Sequence, residues 1–142
     1  MNYITINDLL IEFSTQELAK LTGDPTGNHI NTNRIELAIK QAQSEVDAYL
    51  SDNYILPLSN VPDLIKNLTY ELTVYNIYSQ YYKNSEITEQ VKWRRLNSLS
   101  ILKLLKNNEI IINANKKTNR IITVNTDDIN EYELSILKRD YF

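Results

Sequence analysis

Hydrophobic residues recur at helical spacing through the first two thirds of the chain. Over residues 33–52 they fall at steps of three and four, which predicts a long amphipathic helix. Residues 62–83 contain two apolar stripes and predict a helix that is covered on most sides. A third long helix is predicted over residues 86–106, with Ser85 as its cap. Its inward positions are expected to be Ile87, Val91, Leu96, Leu99, Leu102 and Leu105.

Two short helices are predicted ahead of these long ones. Thr5 or Asn7 is suited to cap the first helix. Ser14 and Glu17 have the spacing of a capping box, in which the hydroxyl accepts a backbone N–H and the carboxylate reaches back, so the second helix begins there. Residues 22–32 are polar and contain both glycines of the chain, which indicates a loop.

The helical pattern is interrupted at residues 54–58 and ends after residue 108. Because the residue before a proline avoids the helical region, Pro57 predicts an extended apolar connector. The β-branched runs 110–112 and 120–124 predict a hairpin or a pair of extended arms. A two-stranded hairpin is marginal alone in water, so we expect it to pack on the helices or on another subunit.

These elements together predict a mainly α fold. We expect a compact bundle of about four to five helices over residues 1–108, followed by a short β-hairpin or extended C-terminal arm over residues 109–142. No apolar run approaches the roughly 20 residues that span a bilayer, and the N-terminus lacks the layout of a signal peptide. A soluble protein, made and kept or assembled in a cytoplasm, is therefore expected.

Charge is distributed unevenly along the chain. Residues 1–60 contain 3 basic and 8 acidic residues, whereas residues 83–120 contain 9 basic and 3 acidic residues. Such a dipolar chain can associate head to tail with its own copies or bind an acidic partner. Solvated helix faces are the simpler interpretation. The candidates for a DNA or protein contact are Lys92, Arg94, Arg95, Lys103, Lys106, Lys116, Lys117 and Arg120.

Few residues suggest a catalytic or metal site. The chain has no cysteine and one histidine, His29, so a usual zinc site and a thiol nucleophile are excluded. The loop at Asp24 lacks the glycine and glutamate that a calcium loop needs at fixed positions, and a glycine-containing turn is favoured. Glu45 and Asp47 diverge around their helix. We expect no enzyme, no cofactor and no small-molecule substrate.

Aromatic residues concentrate in the predicted central helix. Their helical spacing favours core and subunit-interface positions, since tyrosine buries a large ring while its hydroxyl stays hydrogen-bonded. Stacking on nucleic-acid bases is the alternative. The tyrosines concerned are Tyr70, Tyr75, Tyr78, Tyr81 and Tyr82.

Several short motifs follow one another in a fixed order over residues 3–106. They are Tyr3-Ile4-Thr5, Asp8-Leu9, the helical series Ile35, Ala38, Ala42, Glu45, Asp47, Tyr49 and Leu50, the connector Tyr54-Ile55-Leu56-Pro57-Leu58, Val61-Pro62, and the aromatic run from Tyr75 to Tyr78. This order resembles the small head–tail joining (neck or head-completion) proteins of Mu-like tailed phages and prophages. The stretch from Glu45 to Pro62 is the most specific part of the resemblance.

The resemblance implies a structural virion protein without catalytic activity. Such a subunit assembles as a ring between portal and tail, with DNA passing through the ring. Its partners are then its own copies, the portal and the tail-completion proteins, and it resides at the head–tail junction after assembly in the host cytoplasm. The alternative is a DNA-binding helical module that uses residues 83–120. The interface candidates in the tail are Ile111, Ile121, Ile122, Val124, Tyr132 and Tyr141.

Overall fold

A computed structural model describes residues 1–82 and 86–118, which form five α-helices. The helices are α1 (Ile6–Glu12), α2 (Thr15–Leu21), α3 (Thr32–Leu50), α4 (Asp63–Tyr81) and α5 (Glu89–Lys106). Within the described residues there is no named strand, and the mainly helical fold class is confirmed. In the same part of the chain, no helix is both long and apolar enough to cross a membrane.

The two short helices begin where their capping residues predict. Thr5 caps α1, and its backbone N–H donates to the Asp8 carboxylate at 2.7 Å. Ser14 caps α2: its hydroxyl accepts the Glu17 N–H at 3.1 Å, and the Glu17 carboxylate accepts the Ser14 N–H at 2.8 Å. Both caps satisfy backbone donors that a helix leaves free at its N-terminus.

The three long helices contact one another pairwise and form the main bundle. Ala38 and Ala42 of α3 are fully buried, and the Asn76 side chain of α4 donates to the Ala38 carbonyl at 3.1 Å. Small residues therefore bring α4 close to the backbone of α3. One core cluster lies along this seam, and a second lies under α1 and α2; their largest fully buried residues include Leu9, Leu18, Ile35, Ile39, Leu50, Leu72 and Ile77.

Helix α5 differs from its prediction in its start and in one inward position. Thr88 caps it, and its hydroxyl accepts the Val91 N–H at 3.4 Å, so the helix begins three residues later than expected. The assignment of Leu96 to the core was wrong, because Leu96 is 63% exposed. Ser98 is buried instead, since it lies seven residues, or two turns, after Val91 and shares its face. The Ser98 hydroxyl donates to the Arg94 carbonyl at 2.9 Å.

The connector after α3 pairs with the segment that follows α5. The Ile55 N–H donates to the Asn115 carbonyl at 2.9 Å, and the Lys117 N–H donates to the Asn53 carbonyl at 3.0 Å. These two bonds flank an antiparallel bridge between Tyr54 and Lys116.

The start of the predicted arm also contacts the helical core. Ile112 is buried in the first core cluster, and its N–H donates to the Tyr54 hydroxyl at 3.3 Å. The β-branched run 120–124 lies outside the described residues, as do Tyr132 and Tyr141. A hairpin between the two runs and a domain boundary after residue 108 therefore stay predictions.

Candidate interaction surface

The loop before α3 is organised by one carboxylate. Asp24 accepts the backbone N–H groups of Thr26, Asn28 and His29 at 2.9, 3.1 and 2.8 Å. Hydrogen bonds from Thr26, followed by those from the other two residues, hold the pKa of Asp24 well below its usual range. The carboxylate is thus used by the loop itself. Among residues 1–82 and 86–118, no cluster of three or more His, Cys, Asp and Glu side chains is placed to hold a metal ion.

An ionic cluster connects α5 to α1 and α4. The Arg94 guanidinium donates to Glu12 at 2.9 Å and to Glu71 at 3.0 Å, and the Tyr70 hydroxyl also donates to Glu12. These hydrogen bonds lower the pKa of Glu12 and raise the pKa of Arg94. Because a single guanidinium bridges two carboxylates from two other helices, it fixes the position of α1 against α5.

A second arginine connects α5 to α3. Arg95 makes two parallel hydrogen bonds to Glu45, at 2.8 and 3.2 Å, and its guanidinium lies 4.7 Å from the centre of the Tyr75 ring. Arg94 and Arg95 were both candidates for contacts with DNA or a partner, and the structure pairs both within the molecule. Other candidates lie at the surface: Lys92, which is 3.3 Å from Glu89, and the exposed Lys103, Lys106, Lys116 and Lys117. Arg120 lies outside the described residues.

Tyr3 joins the N-terminal segment to α3 and to the connector. Its hydroxyl donates to Asp47 at 2.6 Å and accepts the Leu58 N–H at 3.1 Å, while its backbone N–H donates to Gln43 at 2.8 Å. Burial, with help from the Asp47 hydrogen bond, raises the pKa of Tyr3 to about 12. Burial likewise raises the pKa of Asp47. Asp47 therefore serves this network while Glu45 pairs with α5, so the two carboxylates diverge as predicted.

The tyrosines of α4 pack mostly within the molecule. Tyr78 lies 6.4 Å from Phe13 and 6.0 Å from Tyr82, measured between ring centres. Tyr70 and Tyr75 are half-buried beside the two arginine clusters, and Tyr81 is the exposed member of the five. This arrangement favours the core interpretation over a platform for stacked bases.

Large apolar side chains are exposed on the side of α5 that faces away from the core. Trp93 is 64% exposed and Leu96 63% exposed, one turn apart. Trp93 was not among the candidate surface residues predicted from the sequence. A signal for it exists, because the buried positions Val91 and Ser98 fix the phase of the helix and place residue 93 on the far side. The exposed residues on this side follow one another at steps of three and four, and we call them the outer face: Glu89, Trp93, Leu96, Ser100 and Lys103.

A groove of about 460 Å³ lies between α1 and the first half of α4. Ile11, which is 85% exposed, stands at its side, and Ile4 and Tyr70 also line it. Three carboxylates, those of Asp8, Glu12 and Asp63, line the same groove together with Lys66. The groove thus combines an apolar lining with an excess of negative charge. We call it the acidic groove.

The chain is similar to a known protein family and to a protein of phage Mu. The family model described as "Bacteriophage Mu, Gp36" matches residues 3–129. Gene product J of Escherichia phage Mu is 32% identical to this chain over 92 residues, which are 64% of this chain and 62% of that protein. The match to gene product J thus spans less than two thirds of its length. The resemblance to a Mu-like phage family is confirmed, and the chain belongs to the Bacteriophage Mu Gp36 family.

Proposed function

We propose that the chain is a structural virion protein, a head-completion or head–tail adaptor subunit that assembles as a ring between portal and tail. The observation that carries the proposal is the exposure of Trp93, Leu96 and Ile11 on a packed helical core. Exposed apolar patches on a packed core are typical of protein-binding surfaces. Membership of a phage Mu family supports a role in the particle.

The proposed role needs binding surfaces and no reaction. The shifted pKa values have causes inside the molecule: burial raises those of Tyr3 and Asp47, and hydrogen bonds to Glu71 and Glu12 raise that of Arg94. Such a subunit acts without catalysis and without a cofactor. Its partners are its own copies, the portal and the tail-completion proteins. Its location is the virion head–tail junction, and before that the host bacterial cytoplasm.

The C-terminal arm is proposed to contact a neighbouring subunit. Residues 53–55 and 115–117 form an antiparallel pair with two backbone hydrogen bonds. On the second segment these bonds are made by Asn115 and Lys117, the residues before and after Lys116. The N–H and C=O of Lys116 point to the other edge, where an added strand can pair by β-augmentation. Ile111, 64% exposed, lies near the start of this arm. The further interface residues that we propose are Ile121, Ile122, Val124, Tyr132 and Tyr141.

DNA binding by residues 83–120 is the second candidate. Four exposed lysines favour it: Lys103, Lys106, Lys116 and Lys117. The pairing of Arg94 with Glu12 and Glu71, and of Arg95 with Glu45, reduces the free charge of the segment. A DNA-binding module would show affinity that falls steeply with salt. We favour the adaptor, in which DNA passes the subunit without being held tightly.

A truncation after Thr118 tests the adaptor and its arm. This variant keeps Ile112 in the core and the pairing of Lys117 with Asn53, so we expect it to fold with the thermal transition of the full chain. In a phage that carries this gene, we expect full heads and separate tails by electron microscopy. The matched control is the full-length gene supplied in trans. Normal infectious particles from the truncated gene would refute the role of the arm.

A further inference from the structure

We infer that the acidic groove receives the outer face of α5 from a second copy of this chain, so that copies associate head to tail. The inference rests on the proposed ring and names the two surfaces that make its repeated contact. Trp93 and Leu96 are the apolar side chains that enter the groove. Ile11 is their first contact.

The outer face has the character of an interface centre. Trp93 and Leu96 are three positions apart in the sequence, so they are neighbours on the helix surface. Among residues 1–82 and 86–118, core packing does not cover them, because Val91, Ser98 and Leu102 occupy the inward side of α5. Tryptophan is among the residues that contribute most to binding energy when an interface buries them.

The acidic groove has the size and lining that such side chains need. Its volume of about 460 Å³ falls in the range of roughly 300–1,000 Å³ that holds drug-sized ligands, and is thus sufficient for an indole ring. Ile11 leaves most of its side chain exposed at this groove, beside Tyr70. Docking of Trp93 there removes two exposed apolar surfaces from water in one contact.

Charge complementarity selects a second copy as the occupant. Helix α5 carries five basic residues and one acidic residue; Arg94 and Arg95 are paired with other helices, and Lys92 is paired with Glu89. Lys103 and Lys106 therefore carry the remaining positive charge of α5. At the groove Glu12 is paired with Arg94, so Asp8 and Asp63 supply the negative charge against the single Lys66. The outer face is apolar and positively charged, and the acidic groove is apolar and negatively charged. The outer face of one copy is therefore complementary to the groove of another copy.

The same charges disfavour the symmetric alternative. If two outer faces met each other, their lysines would face like charges, and if two grooves met, their carboxylates would do so. A contact between unlike surfaces is heterologous, and repetition of a heterologous contact closes a ring when its rotation permits. DNA is disfavoured in the groove by Asp8, Glu12 and Asp63.

Site-directed cross-linking of the full chain tests this contact. Because the chain has no cysteine, a single introduced thiol is unique. Purified Leu96→Cys and Asn67→Cys proteins are mixed, at low salt and the highest soluble concentration, with a short bismaleimide. Asn67 lines the groove. We expect a cross-linked dimer in the mixture and at most traces in either protein alone. The matched control replaces Leu96→Cys with Leu37→Cys, an exposed leucine of α3.

A charge exchange sharpens the test. Adding Lys103→Glu to the α5 variant should lower the dimer yield about three- to fivefold, the effect of one surface ion pair. Adding Asp63→Lys to the groove variant as well should restore most of it. Equal yield with the Leu37→Cys control, cross-linking of Leu96→Cys with itself, or no dimer in solution and in particles would each overturn the inference.

The outcome separates this contact from the adaptor role. If particles join heads to tails normally with Trp93→Asp in the chain, and particles that keep Trp93 show no cross-link between positions 96 and 67, the contact is wrong and the adaptor stands. If the chain is absent from particles but the purified variants cross-link as expected, the adaptor is wrong and the self-association stands.

Discussion

The seam between α3 and α4 and the outer face of α5 contain similar residues in opposite situations. At the seam, Leu72 is fully buried and Asn76 hydrogen-bonds to the backbone of the facing helix. On the outer face, Leu96 and Trp93 are mostly exposed on a helix that is equally regular. The difference indicates a division of labour, in which one side of the molecule supplies stability and the other supplies recognition.

The largest expected effect comes from one substitution made at both places. Leu72→Ala removes a fully buried side chain and should lower the free energy of unfolding by about 2–5 kcal/mol. Leu96→Ala makes the same replacement within a helix, but at an exposed position. It should change the free energy of unfolding by less than about 0.5 kcal/mol. Urea denaturation of both purified variants measures the difference. Equal losses would contradict the division.

Removal of the ionic cluster should have an intermediate effect. Arg94→Ala leaves Glu12 and Glu71 without their shared cation and should destabilise by about 1–2 kcal/mol, since these hydrogen bonds are charged but partly exposed to water. Arg94→Lys should recover only part of this loss, because an ammonium cannot bridge both carboxylates with paired hydrogen bonds. Lys103→Ala, on the outer face, is the matched control. A loss as small as that of the control would show that the cluster does not fix α1.

Two further expected effects are changes in the pH dependence of stability, the first of them on the acid side. The pKa of Glu12 is lower in the folded protein than in the unfolded chain, so its contribution to stability is present above the unfolded pKa and is lost as pH falls through the folded pKa. We therefore expect Glu12→Gln to flatten the acid side of the stability curve below about pH 4.5. Urea midpoints measured across this range check it. An unchanged slope would separate Glu12 from the ionic cluster.

Alkaline stability should depend on the Tyr3 network with the opposite sign. The pKa of Tyr3 is raised to about 12 in the folded protein, so its contribution is present below about pH 10 and is lost as pH rises through 12. Tyr3→Phe removes this titrating group. The free energy of unfolding should then fall less steeply with pH between these values, by at most the slope that one proton contributes. Thermal midpoints measured in parallel with the full chain test this, and identical slopes would contradict it.

Local chemistry made much of the helical framework predictable. The capping box of Ser14 and Glu17 needs only neighbouring residues, and the stripe around Ala38 and Ala42 needs only helical periodicity. The start of α5 was less determined, because Ser85 and Thr88 are both suitable caps. The true phase of that helix placed Ser98 inside and Leu96 outside, against the simple preference for leucine in a core.

The surface chemistry depended on contacts that are distant in sequence. Arg94 meets Glu12 across 82 positions, and Lys117 pairs with Asn53 across more than 60, so charge counts along the chain could not reveal either contact. The sequence therefore indicated more unpaired positive charge in residues 83–120 than the fold leaves. The acidic groove, too, exists only once α1 lies on α4.

The division between stability and recognition is tested most directly by Trp93→Asp in a phage that carries this gene. We expect the purified variant to unfold at the temperature of the unaltered chain, while particles accumulate as heads without joined tails. Normal infectious titre with an unchanged unfolding temperature would contradict the account, because the outer face would then be dispensable for joining.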